Sequence, residues 1–221
     1  MKKIIILGGK GLIGSSLTKF LSTKDCEVLS IDIDNLDISD LYKTKSFFEK
    51  NKADVLINLF GKNEHVKQTN DFNTVDKIEE SEIEEYFKIN TLYTFRVCIE
   101  FIKNNASGKI LNFSSMYGHH VPNPKYYSGN HKSIGYCISK AGSVMITKYL
   151  AVHFPKFDII DVVLGGVKNN QNKNFINQYI QDVPKGKLLE LNDLNHTIYT
   201  LLETRYITGT SIFIDGGKNL M

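Results

Sequence analysis

The stretch Lys3-Ile4-Ile5-Ile6-Leu7-Gly8-Gly9-Lys10-Gly11-Leu12-Ile13-Gly14 decides the fold. A short apolar strand runs straight into a glycine turn, and an amphipathic segment opens at Leu12. The turn satisfies Gly-x-Gly-x-x-Gly through Gly9, Gly11 and Gly14, and Gly-x-x-Gly-x-x-Gly through Gly8, Gly11 and Gly14. Glycine permits the tight turn and lets backbone N–H groups approach a pyrophosphate, whose charge is favoured at a helix N-terminus. The motif alone is weak. A strand before it, a helix after it and an acidic residue roughly 20 positions on give it the context of a dinucleotide site.

That acidic residue is Asp32, at the end of the second predicted strand. A carboxylate there accepts hydrogen bonds from ribose hydroxyls and repels a 2′-phosphate, which favours NAD over NADP. A solvated loop aspartate is the plain alternative, and Asp34 is a rival.

Outward from the turn, short apolar runs alternate with longer amphipathic ones, the pattern of a parallel sheet covered by helices. Strands are predicted at Lys3–Leu7, Glu27–Ile31, Asp54–Leu59, Lys109–Phe113, Asp158–Val163 and Ser211–Ile214. Most are Ile, Val and Leu with little alternation, as in strands buried on both faces. Helices are predicted at Leu12–Thr23, Asp40–Asn51, Glu79–Asn104, Ile134–Phe154, Lys173–Gln181 and Leu191–Glu203. Ile31 is followed almost at once by Asp34-Asn35-Leu36-Asp37-Ile38-Ser39-Asp40. That is too short for the dozen or more residues of a crossover. The predicted fold is therefore an α/β doubly wound parallel (Rossmann) sheet in a single domain, 1–221, missing one outer helix–strand unit after the second strand.

The 221 residues suffice for one buried core. A net charge of +3, with scattered Lys and Arg, argues against a nucleic-acid partner. Cys26, Cys98 and Cys137 are far apart and odd in number, which predicts reduced thiols and a cytoplasmic protein. The apolar run Ile4–Leu7 is too short for a signal peptide, and no segment reaches the ~20 apolar residues of a membrane span.

A second constellation lies downstream. Ser114-Ser115 ends the strand Lys109–Phe113, and ligands bind beyond the carboxyl ends of such strands. In Tyr136-Cys137-Ile138-Ser139-Lys140 the tyrosine and lysine are four apart on a helix and share a face. A free tyrosine, with a pKa of about 10, exchanges protons poorly near neutrality. A nearby ammonium is expected to lower it. By itself such a pair is usually a solvated one. The strand-end serine and the N-terminal turn raise it to a candidate site for hydride and proton transfer. In the helix Glu79–Asn104, the stripe Ile83, Phe87, Asn90, Thr94, Val97 and Phe101 is interrupted by Asn90. It is either an ordinary packed amide or a residue ordering a water that relays protons from Lys140.

Together these residues resemble the short-chain dehydrogenase/reductase family over nearly the whole chain. Asn90, Ser115, Tyr136 and Lys140 match the family's catalytic tetrad, with Ser115 fitting better than Ser114. Gly8, Gly11, Leu12, Ile13 and Gly14 match its cofactor turn, in the Gly-x-x-Gly-x-x-Gly form of the extended branch. Asp37-Ile38 resembles the step that contacts adenine, and Asn58-Leu59-Phe60-Gly61 stands in the place of Asn-Asn-Ala-Gly. Leu164-Gly165-Gly166-Val167 stands where the family has Pro-Gly-Gly and then a backbone amide for the nicotinamide carboxamide. Tyr206–Gly209 and Ile214–Gly217 resemble the C-terminal signature. Leu164 in place of proline and the bulk of Leu59 and Phe60 depart from the pattern. The trimmed edge is similar to that of dTDP-4-dehydrorhamnose reductases. Ser114–Gly118 and Gly165–Gln171 are similar to oxidoreductases of bacterial surface-glycan and flagellin-modification clusters.

The resemblance implies an NAD-dependent alcohol–carbonyl oxidoreductase, with a redox-neutral sugar epimerase or dehydratase and a non-catalytic dinucleotide sensor as alternatives. The long loop 116–133, with His119, His120, Pro122, Pro124, Tyr126, Tyr127 and His131, is expected to border the substrate, its composition suiting a sugar derivative. No carboxylate or cysteine joins the histidines at ligand spacing, so no metal is expected. Lys62–Asp76, with His65, is a second candidate wall, and 165–190 a lid. The family's helical interface implies a homodimer or homotetramer through the helices Glu79–Asn104 and Ile134–Phe154.

Overall fold

The structure, a computed structural model, describes residues 1–64, 66, 75–127 and 130–221. Six strands form one parallel sheet: β1 (Lys2–Leu7), β2 (Cys26–Ile31), β3 (Val55–Asn58), β4 (Gly108–Phe113), β5 (Phe157–Leu164) and β6 (Ser211–Ile214). Their order is β2-β1-β3-β4-β5-β6, so β2 is an edge. The trimmed unit after Ile31 is thus seen directly: the chain turns back from β2 and crosses to the far side of β1. The crossover is the helix α2 (Leu41–Lys50), capped by Asp40, whose Oδ1 accepts from the Lys43 amide at 3.0 Å. Arg96 holds the segment before it, donating to the Ile38 and Ser39 carbonyls at 2.8 and 2.7 Å.

The remaining helices are α1 (Leu12–Leu21), α3 (Glu80–Phe87), α4 (Tyr93–Asn104), α5 (Ile134–His153), α6 (Lys173–Gln181) and α7 (Leu191–Glu203). Apolar side chains cover both faces of the sheet. Ile5, Leu7, Leu56, Ile110 and Ile159 pack with Phe48, Val97, Phe101 and Leu150. Ile4, Ile6, Ile57, Leu111 and Ile160 pack with Leu17, Leu21, Leu194 and Ile198. This double burial is the reason for the unalternated strands.

The predicted helix Glu79–Asn104 is corrected in its middle. Between α3 and α4, Lys88–Leu92 forms a π turn. The wider turn breaks the 3.6-residue count, so Phe87, expected on the buried stripe, is exposed, while Tyr86 is buried in its stead. Such turns are rare and are found mostly at functional sites.

One row of the sheet is polar. Asn58, Asn112, Asp161 and Ser211 stand in register across β3 to β6. Asn58 Nδ2 donates to Asn112 Oδ1 at 2.7 Å, Asn112 Nδ2 to Thr147 Oγ1 at 2.9 Å, and Ser211 Oγ to Asp161 Oδ2 at 2.8 Å. These bonds offset part of the cost of burying amides and a carboxylate.

Candidate active site

A cleft of about 770 Å³ opens beyond the carboxyl ends of the strands. The glycine turn forms part of its wall. The Gly8 and Gly9 amides donate to the Ile31 carbonyl at 2.9 and 3.0 Å, which ties the turn to β2. Gly8 has φ +86°, the left-handed region that glycine enters without strain. A Cβ on Gly14 would stand 2.2 Å from the Gly8 carbonyl oxygen, so this helix can start so close to the turn only with glycine there. No side chain caps α1, whose N-cap is Gly11. Gly8, Gly11, Leu12, Ile13 and Gly14 line the cleft, as a cradle for an anionic group requires. The residues present therefore fit a dinucleotide pyrophosphate.

Leu59, Phe60, Gly61, Leu164, Gly165, Gly166 and Val167 line the same cleft, as do Ser114, Ser115, Tyr136 and Lys140. Among the cofactor-binding candidates, Asp32, Asp37, Ile38 and Asn58 sit off its wall, as does Asn90 of the tetrad. The Asp32 carboxylate accepts from the amides of Lys10 and Ile33, both at 2.8 Å, and so braces the turn from behind. Asp37 caps its own loop by accepting from the Ser39 amide, and Ile38 packs against the core beneath β2. Asn58 is buried in the polar row. The amide of Gly166 donates to the Tyr179 hydroxyl at 2.7 Å, and Val167 bridges to Leu189.

Ser115 lies two residues beyond the end of β4, and its Oγ accepts from the Tyr117 amide at 3.2 Å. Tyr136 and Lys140 come from the first turns of α5 and are nearly fully buried. The Lys140 ammonium donates to the Phe113 carbonyl at 2.8 Å and lies 5.9 Å from the centre of the Tyr136 ring. The expectation that lysine lowers the tyrosine pKa is corrected: burial dominates. It pushes Tyr136 up to about 12, against a hydrogen bond from Ser115 that lowers it. Burial likewise pulls Lys140 down to about 8, against the pull of Asp161.

Asn90 sits in the π turn. Its Oδ1 accepts from the Lys62 amide at 2.7 Å, and its Nδ2 donates to the Lys62 carbonyl and Ser139 Oγ, both at 3.0 Å. These bonds make Asn90 a packed amide that clamps the segment after β3 to α5. Its link to Lys140 is indirect, through Gly61, where a Cβ would meet Asn90 Oδ1 at 3.0 Å and Lys140 Nζ at 3.6 Å.

The loop after Ser115 supplies Met116, Tyr117, Tyr126, Tyr127 and Lys132 to the cleft, and the stretch from Asn169 to Asn172 with Phe175 and Tyr179 faces them. His65 lies outside the described residues. Among the described residues no three His, Cys, Asp or Glu side chains converge as metal ligands do, and no helix is long and apolar enough to cross a membrane. Lys132 and Tyr179 were not signalled by any motif. Lys132 precedes the first turn of α5, where helical spacing from Tyr136 gives no guidance.

The model of the NAD dependent epimerase/dehydratase family matches residues 4–198. The chain belongs to that family, and with it to the short-chain dehydrogenases/reductases. It is similar to 7alpha-hydroxysteroid dehydrogenase of Bacteroides fragilis, 26% identical over 257 residues, spanning 99% of this chain and 95% of the relative. It is also similar to Post-translational flagellin modification protein A of Campylobacter coli, 27% identical over 128 residues, 55% of this chain and 50% of that one. The solved short chain dehydrogenase of Leptospira borgpetersenii serovar Hardjo-bovis, which has bound NAD+, has a TM-score of 0.87 at 26% identity, covering 99% of this chain and 92% of that one.

Proposed function

We propose that the chain is an NAD(H)-dependent oxidoreductase that interconverts an alcohol and a carbonyl on a sugar-derived small molecule. The observation that supports this best is the meeting of Ser115, Tyr136 and Lys140 in the cleft that the glycine turn also lines. A bound nicotinamide would supply the hydride in reduction and take it in oxidation. Ser115 Oγ would hydrogen-bond the substrate oxygen. Tyr136 would give that oxygen its proton in reduction and remove it in oxidation. Lys140 would stabilise the phenolate left behind, and Asn90 would hold the cleft's wall at Lys62. Gly8, Gly11, Leu12, Ile13 and Gly14 would carry the pyrophosphate, with Asp32, Asp37, Ile38 and Asn58 shaping the turn and sheet behind it.

Asp32 beside the turn supports NAD over NADP, and the Leptospira relative holds NAD+. A sugar is supported by the amide-rich stretch from Asn169 to Asn172 in the cleft, since amides pair both as donors and acceptors with hydroxyls. The flagellin-modification relative is consistent with a surface-glycan setting. Loop 116–133 and segment 165–190 are then the substrate wall and lid. The free cysteines suit a reducing cytoplasm.

The test is a titration of NADH and NADPH, followed by a screen of sugar acids, sugar phosphates, nucleotide sugars and hydroxysteroids for net change in NADH absorbance. NADH is expected to bind at least tenfold more tightly, and a carbohydrate to be turned over. Turnover of hydroxysteroids alone would overturn the sugar assignment. A carbohydrate product without net NADH change would favour the redox-neutral alternative.

Phe95 on α4 and Ile138, Met145, Tyr149 and Val152 on α5 are exposed apolar side chains on adjacent helices. We assign this face to a second copy of the chain. Light scattering is expected to show a homodimer, or a tetramer of such dimers, and Met145→Glu to dissociate it. A monomer at micromolar concentration would refute the assignment.

A further inference from the structure

The charged side chains on the cleft wall are, among the described residues, all cations: Lys62, Lys132 and Lys140. Two are already committed. Lys62 forms ion pairs with Glu64 and Glu85 at 2.9 and 2.5 Å. Lys140 is buried against the Phe113 carbonyl in the catalytic group. Lys132 differs from both. Its ammonium donates to two neutral oxygens, Asn63 Oδ1 and the Glu64 carbonyl, each at 2.6 Å. An ammonium has three donors, so among the described residues one remains. The group lies 4.4 Å from the centre of the Tyr136 ring, nearer than Lys140 at 5.9 Å.

We propose that Lys132 is an oxyanion subsite, and that the substrate carries a carboxylate or phosphate close to the carbon that reacts at Tyr136. This rests on the oxidoreductase reading and narrows its substrate class. A cation in a cleft whose wall shows no carboxylate among the described residues gains from an anionic ligand, because burial strengthens the pairing that water would screen. The aromatic rings of Tyr117, Tyr127 and Phe175 line the same cleft. The anchor at Asn63 and Glu64 holds the ammonium in place before any ligand arrives.

The surroundings of Lys132 set a pH dependence. Glu64 faces it from the segment after β3, Glu82 from α3, and Tyr136 and Cys137 from α5. Burial outweighs the two carboxylates and the thiol and brings the ammonium down to about 8. Anion binding is therefore expected to be full at pH 6.5 and to fall as pH rises through about 8. Arginine, which stays charged, removes that fall.

The experiment uses the full chain saturated with NADH, so that the glycine turn is not the anion's target. Malonate and inorganic phosphate are titrated separately by calorimetry in a Tris or Bis-Tris buffer. At least one is expected to bind with millimolar affinity, at least tenfold more weakly in Lys132→Met, and without the alkaline fall in Lys132→Arg. The arm that binds tells carboxylate from phosphate. NADH affinity in each variant checks its fold. Equal binding by the wild type and Lys132→Met, or no binding of either anion by the wild type, overturns the subsite. If NADH itself does not bind, the oxidoreductase reading falls instead. The Lys132-dependence of anion binding to the free protein then still decides the subsite.

Discussion

Tyr136→Phe is expected to lower turnover by about a thousandfold, within the range that a positioned acid or base contributes, while the fold and NADH affinity survive. The change removes one oxygen and leaves the ring. That ring packs edge-on against Tyr86, with centroids 6.1 Å apart, so the packing is retained. What is lost is the group that shares a proton with the substrate oxygen. Burial holds the phenol near 12, so it is protonated at neutral pH and ready as an acid. Reduction is therefore expected to proceed at neutral pH, and oxidation, which needs the proton removed, to accelerate as pH rises. Both limbs should vanish in the variant. Turnover within threefold of wild type on any substrate found would sink the catalytic role of Tyr136.

Gly14→Ala is expected to weaken NADH binding by about 100-fold, roughly 2.7 kcal/mol. The cause is steric. The new methyl would lie 2.2 Å from the Gly8 carbonyl oxygen and 2.9 Å from Gly9 Cα. These are backbone atoms, so the turn itself must shift, and with it the start of α1 that is proposed to carry the pyrophosphate. Gly11 provides the control, because a Cβ there meets only the Gly8 oxygen at 3.4 Å, an ordinary contact. Gly11→Ala is expected to cost less than tenfold. Fluorescence titration of NADH measures both, and equal affinities for wild type and Gly14→Ala would remove the turn from the cofactor site.

The sheet was legible because its strands are short apolar runs between turn signals, and β6 and α6 fall where pattern alone places them. The trimmed edge was legible as a distance: too few residues separate Ile31 from Asp54 for an additional helix–strand unit. The π turn was not legible. Periodicity averages over several turns, so one wide turn at Asn90 goes unnoticed and puts Phe87 on the wrong face. The sign of the shift at Tyr136 was missed for a different reason. A lysine four residues on is visible in sequence, but the burial that outweighs it depends on Tyr86 and the loop after Ser115. Lys132 shows the same limit, since its place over the tyrosine ring depends on contacts with Asn63 and Glu64, nearly seventy positions away.

The shortened sheet has one more consequence, for how molecules avoid one another. β2 has a single neighbour, so its outer rim offers six residues of backbone on which a foreign strand could pair. The usual sentinel, another strand and its helix, is gone. What guards the rim instead is the charge of Glu27 paired with Lys3 at 3.3 Å and the abrupt turn at Asp32. Asp32 thus serves twice, bracing the glycine turn on one side and ending a strand that would otherwise invite aggregation on the other.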